Sequence, residues 1–178
     1  MRLPIWWCVL TALIAPVAMP DSARAAPCWL PPVAAPVVEG FDAPACPWCA
    51  GHRGLEFGPT AGVAVRAVAA GTVAFAGAVA GRRYVSIDQS DGRRVTYGWL
   101  ATIAVAEGDA VRAGDVVGRA GARLMLTVRV GGQYVDPAPM LGRLVRRPWL
   151  VPADGAGREP PPARLECPAS ATVPSSIG

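Results

Sequence analysis

Two side chains able to ligate a metal stand four residues apart in Gly51-His52-Arg53-Gly54-Leu55-Glu56-Phe57. His52 offers an imidazole nitrogen and Glu56 a carboxylate. Beside two glycines, that spacing can present both on one side of a turn or a strand pair. His52 is the sole histidine among 178 residues, so a metal centre here cannot draw on a second imidazole. A catalytic zinc needs three protein donors and an open position for water. Cys46 and Cys49 extend the series to C-x-x-C-x-x-H-x-x-x-E, a plausible metal spacing. Plainer readings compete. The cysteines can close on each other, His52 can hold its loop through a backbone carbonyl or Glu56, and Glu56 can be a surface carboxylate paired with an arginine. Cys-Pro-Trp-Cys at 46–49 also has the form of a redox motif, but that chemistry needs a strand before it and a long helix after it. Ala50 and Gly51 instead lead into a glycine-rich β region, which argues against redox catalysis.

The elements that must position these residues read as strands. Residues 62–81 are short Val/Ala runs broken by Gly. Tyr84, Val85 and Ile87 form one arm of a hairpin, Gln89-Ser90-Asp91-Gly92 its turn, and Val95, Tyr97 and Trp99 alternate along the other arm. Asp91-Gly92 is a strong turn signal. Gly-Asp recurs at 108–109 and 114–115, marking two more turns around short Val pairs. Leu124, Leu126 and Val128 share one face of a later strand, and Gly131-Gly132 ends it. No segment keeps a helical period over 11 or more residues. The spacing of short strands and turns predicts an all-β fold, a small sandwich or barrel-like sheet.

The two ends differ from this middle. Arg2, an apolar run over 5–19 and Ala23-Arg24-Ala25 form the pattern of a secretory signal peptide spanning residues 1–25. The run is shorter than the ~20 residues of a membrane span, and Pro16 interrupts it. No integral span is therefore expected in the mature chain, and a secreted or cell-envelope location is. Residues 26–45 read as an extended Pro/Ala-rich lead-in, 46–142 as the folded domain, and 143–178 as a Pro-rich, largely disordered tail whose composition cannot build a core. Removing 1–25 takes Cys8 and leaves Cys28, Cys46, Cys49 and Cys167, an even set that reads as two disulfides in an exported chain. Three pairings are possible. A bridge from Cys28 to Cys167 would tie the ends together. All 17 basic residues are arginine, and the formal charge is +4. Codon bias accounts for the arginines. The charge suits an anionic cell wall, but it is too scattered for nucleic acid, and no recognition helix or aromatic-basic strand pattern is present.

Taken in order, Gly51–Phe57, residues 62–81, Tyr84–Leu100, Val105–Gly121 and Gly131–Leu141 resemble the LytM/lysostaphin-type zinc metallopeptidases, which share the duplicated-hybrid-motif fold. The resemblance covers roughly residues 37–142. It implies a mostly antiparallel β fold and, in active members, hydrolysis of peptide bonds in bacterial peptidoglycan. The family's zinc is held by H-x-x-x-D and the last histidine of H-x-H, whose first histidine is catalytic. Carried over, His52 is the first ligand and Glu56 replaces the aspartate. Arg123 stands at the catalytic histidine and Met125 at the last ligand. Trp99 stands where many members have another histidine. A thioether suits Cu(I) better than Zn²⁺, and a guanidinium stays protonated and cannot act as a base.

The resemblance and these losses together point to an exported, catalytically inactive domain that binds peptidoglycan or activates a partner cell-wall hydrolase. Trp99, Arg123 and Tyr97 are the expected groove residues, and no cofactor is expected. The alternative is an active zinc endopeptidase cleaving peptidoglycan peptides with unusual ligands. A lipoyl or biotin carrier, which Glu107–Gly118 also resembles, is excluded because the chain has no lysine to acylate.

Overall fold

The computed structural model describes residues 27–46, 48–145 and 162–168. The expected signal peptide and most of the C-terminal tail lie outside them. Eleven strands are present: β1 (Val37–Glu39), β2 (Leu55–Phe57), β3 (Ala64–Arg66), β4 (Gly71–Val79), β5 (Arg82–Asp88), β6 (Arg93–Ile103), β7 (Ala110–Val111), β8 (Val116–Val130), β9 (Gln133–Val135), β10 (Arg143–Val145) and β11 (Arg164–Glu166). Nine form one sheet in the order β1-β2-β8-β6-β5-β4-β7, with β3 and β9 also paired to β8. All these pairings are antiparallel, as the resemblance implies. Among the described residues no helix is long and apolar enough to cross a membrane.

Turn chemistry sets the local connections. Gln89–Gly92 closes the β5–β6 hairpin, with the Gly92 N–H donating to the Gln89 carbonyl (3.1 Å) and the Gln89 N–H to Arg93 (2.8 Å). The two Gly-Asp turns close alike. Asp109 accepts from the Ala106 N–H (2.8 Å) and Asp115 from the Arg112 N–H (2.7 Å). Alternation then sends Val85, Ile87, Val95, Tyr97, Leu124, Leu126 and Val128 into one core, each 1% exposed or less.

The lead-in bends over residues 32–35 before β1 and packs against the domain. Trp29 and Val33 are buried, and Trp29 exchanges backbone hydrogen bonds with Met140 and Gly142. Strand β1 adds Glu39 opposite Glu56. Two described stretches of the tail pair with each other as β10 and β11, largely exposed, where disorder was expected. Both disulfides form: Cys28–Cys167 ties lead-in to tail, and Cys46–Cys49 closes the Cys-Pro-Trp-Cys loop.

Candidate functional site

Residues directly opposite in an antiparallel sheet project from the same face. Pairing places Glu39 opposite Glu56, Glu56 opposite Met125, Met125 opposite Gly98, and Gly98 opposite Tyr84. One row thus crosses five strands on the face turned away from the core. A second row, two residues along, is Ser86–Thr96–Thr127. Met125, Gly98 and Tyr84 of the first row and all of the second form the floor of a cleft of about 520 Å³, walled by Phe75, Trp99, Arg129 and Tyr134, with His52 at its rim; Glu39 and Glu56 continue the first row outside its lining. Gly98 belongs in the floor because a Cβ there would lie 2.8 Å from the Tyr84 ring.

Strand β8 is irregular where the site needs it to be. Between Gly98 and Leu100 on β6, the partner on β8 jumps from Met125 to Ala120. The bulge throws Arg123 out, leaving its side chain 58% exposed. Across from it, Trp99 takes a left-handed backbone (φ 64°). Gly121 permits the close approach, since a Cβ there would stand 2.8 Å from the Trp99 carbonyl oxygen. Trp99 and Arg123 therefore line one recess, with the Arg82 guanidinium 5.1 Å from the Trp99 ring centroid.

The bulge corrects one expectation. Tyr97 and Trp99 do not share a face. Leu100 takes the buried position after Tyr97, and Trp99 turns to the cleft. Tyr97 is not a groove residue. It is 1% exposed, and its hydroxyl accepts the Val68 N–H (2.8 Å) within the core. Burial pushes that phenol well above its ordinary range.

The Arg123 Nη1 donates to Glu56 Oε1 at 2.8 Å, and the Glu56 side chain is 5% exposed. Hydrogen bonding to Glu56, then its Coulombic attraction, reinforced by that of Glu39, raises the Arg123 guanidinium further above its high ordinary value. The position that the resemblance assigns to the base thus holds a permanent cation. Met125, at the position of the last ligand, lies on the floor as a thioether.

Sequence reasoning missed Glu39, whose only local signal was to be a lone glutamate in a Pro/Ala stretch. Glu39, His52 and Glu56 bring one donor atom each to within 4.8 Å of one another. The His52 Nδ1 lies 2.7 Å from the Gly40 carbonyl oxygen. A carbonyl only accepts, so Nδ1 carries the proton and Nε2 faces inward with a lone pair. That Nε2 is buried and has no hydrogen-bond partner. An imidazole and two carboxylates are a donor set that zinc takes. The expectation of His52 bound to a carbonyl is met. Cys46 and Cys49 are held by their disulfide and are not donors.

Arg53, Arg82, Arg94, Arg123 and Arg129 line the cleft and the adjoining recess, and no Asp or Glu does. Arg94 is anchored by Asp88 (2.6 Å), and Arg129 stacks on Tyr134 with its guanidinium 4.2 Å from the ring centroid. The cleft is therefore cationic, with aromatic walls and a hydroxyl-rich floor.

Residues 50–137 match the model of Peptidase family M23. The structure is similar to Helicobacter pylori Csd3, with TM-score 0.59 and 20% identity, covering 70% of this chain and 37% of that one. It is similar to the antimicrobial peptidase lysostaphin from Staphylococcus simulans, with TM-score 0.53 and 24% identity, covering 60% and 49%. At these identities the likeness is one of fold. The chain is also 34% identical over 165 residues to the uncharacterized protein Rv2891 of Mycobacterium tuberculosis, covering 85% of this chain. It spans only 63% of that relative's length. With fold and sequence in agreement, residues 50–137 of the chain belong to Peptidase family M23.

Proposed function

We propose that this domain acts outside the cytoplasm and binds the peptide part of bacterial cell wall without cutting it. The observation that carries the reading is the Arg123–Glu56 ion pair. A group that never gives up its proton stands where the resemblance puts the base, and it holds the carboxylate that replaces the family's aspartate. The two disulfides suit an exported chain. Stem peptides of the cell wall present carboxylates, and a cleft whose lining carries arginines and no Asp or Glu focuses anions. Trp99 and Tyr134 offer apolar faces to the peptide backbone, and Ser86, Thr96 and Thr127 offer hydroxyls along it.

The competing reading is an active zinc endopeptidase. In its favour are the three donors Glu39, His52 and Glu56, which would hold the ion. A bound zinc would supply Lewis acidity toward a peptide carbonyl. The base is still lacking. Arg123, whose guanidinium only donates, would take no proton from an attacking water.

Zymography and a peptidoglycan pull-down on the untagged protein separate the two. The expected result is no clearing, with retention on peptidoglycan that falls in Trp99→Ala and Arg123→Ala. Clearing that is abolished by chelator or by His52→Ala overturns the non-catalytic reading. Unchanged retention in both groove variants moves the functional surface elsewhere. Stimulation of a second cell-wall hydrolase without retention on peptidoglycan would favour an activator role.

A further inference from the structure

We propose that Glu39, His52 and Glu56 form a divalent-cation site. In it, a glutamate from outside the family-matched segment takes over from the position of Met125, and Arg123 is the resident counter-ion that the metal displaces. The inference stands apart from the identity of the groove ligand.

Strand β1 builds the site twice over. Glu39, at its end, is brought opposite Glu56 by pairing with β2. The next residue, Gly40, supplies the carbonyl that fixes the His52 ring at 2.7 Å. Imidazoles that ligate metals commonly donate their other N–H to just such an acceptor, which sets both tautomer and ring direction. The consequence is a buried Nε2 lone pair with no hydrogen-bond partner. A buried polar atom left unsatisfied is costly, and a cation is a group that satisfies a bare lone pair.

The distances fit a small closing motion. Donors around a tetrahedral ion at ~2.0 Å lie roughly 3.3 Å apart. The three donor atoms here already lie within 4.8 Å of one another. Glu39 is on the exposed edge and free to rotate inward, so roughly 1.5 Å of side-chain travel at most is required. One imidazole and two carboxylates favour zinc or manganese over a soft ion. Met125 is not needed as a ligand.

Arg123 and the ion exclude each other. Nη1 already occupies Glu56 Oε1 at 2.8 Å, and a metal on the same carboxylate brings two positive charges together. The Arg123 side chain is 58% exposed, so it can swing to water when displaced. Two states follow. With Arg123 home, Glu56 is neutralised by protein. With the ion bound, the guanidinium is released toward the recess beside Trp99, which raises the positive charge there.

Because His52 is the only histidine, an untagged sample gives a single imidazole to observe. With both disulfides intact, zinc chloride is titrated into the full-length protein by calorimetry while long-range proton–nitrogen NMR follows His52. The expected result is one equivalent bound, with the Nε2 resonance moving and Nδ1 remaining protonated. Glu39→Gln weakens zinc by at least the roughly tenfold that even outer partners of a metal cost. Arg123→Ala tightens it, and Met125→Leu leaves it unchanged. Glu39→Gln changes an exposed edge residue, whereas Arg123→Ala leaves the buried Glu56 carboxylate without its guanidinium, so a cooperative unfolding transition well above the titration temperature verifies that each variant is folded. The proposal is overturned if millimolar zinc leaves Nε2 unmoved in both wild type and Arg123→Ala. It is equally overturned if Glu39→Gln binds as the wild type does, or if Arg123→Ala binds more weakly.

Discussion

Trp99 offers a way to separate stability from binding. Its φ of 64° lies in the left-handed region, where a residue with a Cβ is strained by about 1–2 kcal/mol. Glycine removes that strain, but its freer unfolded chain takes back about 0.4–1 kcal/mol. Trp99→Gly and Trp99→Ala both lose the indole and its contact with Arg82. Their difference therefore isolates the backbone, and the glycine variant should be the more stable by about 0.5–1 kcal/mol. For a chain of this size that corresponds to a melting temperature roughly 1–4 °C higher. Ala80→Gly is the control. Ala80 also has positive φ (48°), in the turn before Arg82, and lines no cleft. It should be stabilised by the same increment, with binding unchanged. Both Trp99 variants should lose affinity for soluble cell-wall peptides by about 2 kcal/mol, or roughly 30-fold, the scale at which a wall tryptophan acts as a hot spot. Thermal unfolding and a peptide titration read the two effects separately. A glycine variant no more stable than the alanine variant would refute the strain argument. Undiminished affinity in both would refute the role of the ring.

Two further outcomes follow from the geometry. The Cys28–Cys167 bridge closes a separation of 139 residues, for which chain entropy gives a stabilisation of about 5 kcal/mol. The Cys28→Ser/Cys167→Ser variant should lose most of it in urea unfolding, and a loss below about 1 kcal/mol would count against the entropic account. Asp88 is held below its usual carboxylate range chiefly by its hydrogen bond to Arg94. Its stabilisation is fully present above the unfolded value of ~3.9 and is lost as pH falls through the lower folded value. Asp88→Asn should flatten the acid limb of the stability profile while costing less than about 1 kcal/mol near neutral pH, since the pair is half exposed. An acid limb unchanged in that variant would show that Asp88 does not contribute.

Much of the fold was legible in local residue order. Asp91-Gly92, the two Gly-Asp pairs and Gly131-Gly132 demand turns. The alternation of Val85 with Ile87, and of Leu124 with Leu126 and Val128, demands strands with one buried face. These signals act over a few residues, so composition and spacing suffice to read them. The even cysteine count likewise announced two disulfides, while the choice among pairings depended on where the chain ends meet. His52 and Glu56 were also named from their spacing, and Met125, Arg123 and Trp99 through the resemblance to the family.

Their arrangement was decided only in three dimensions. The row Glu39–Glu56–Met125–Gly98–Tyr84 joins residues up to 86 apart in the chain, Glu39 to Met125, through strand register. No local signal carries such a register. The bulge that pairs Leu100 with Ala120 breaks the simple alternation, which is why Tyr97 goes into the core and Trp99 into the cleft. Glu39 joins the site because a three-residue edge strand docks beside Glu56, and nothing in its neighbours marks it. Residue order thus determined which strands form and which chemistry was lost. Long-range pairing determined which charges meet, because a sheet brings distant residues together through register, and register is set by the whole packed core.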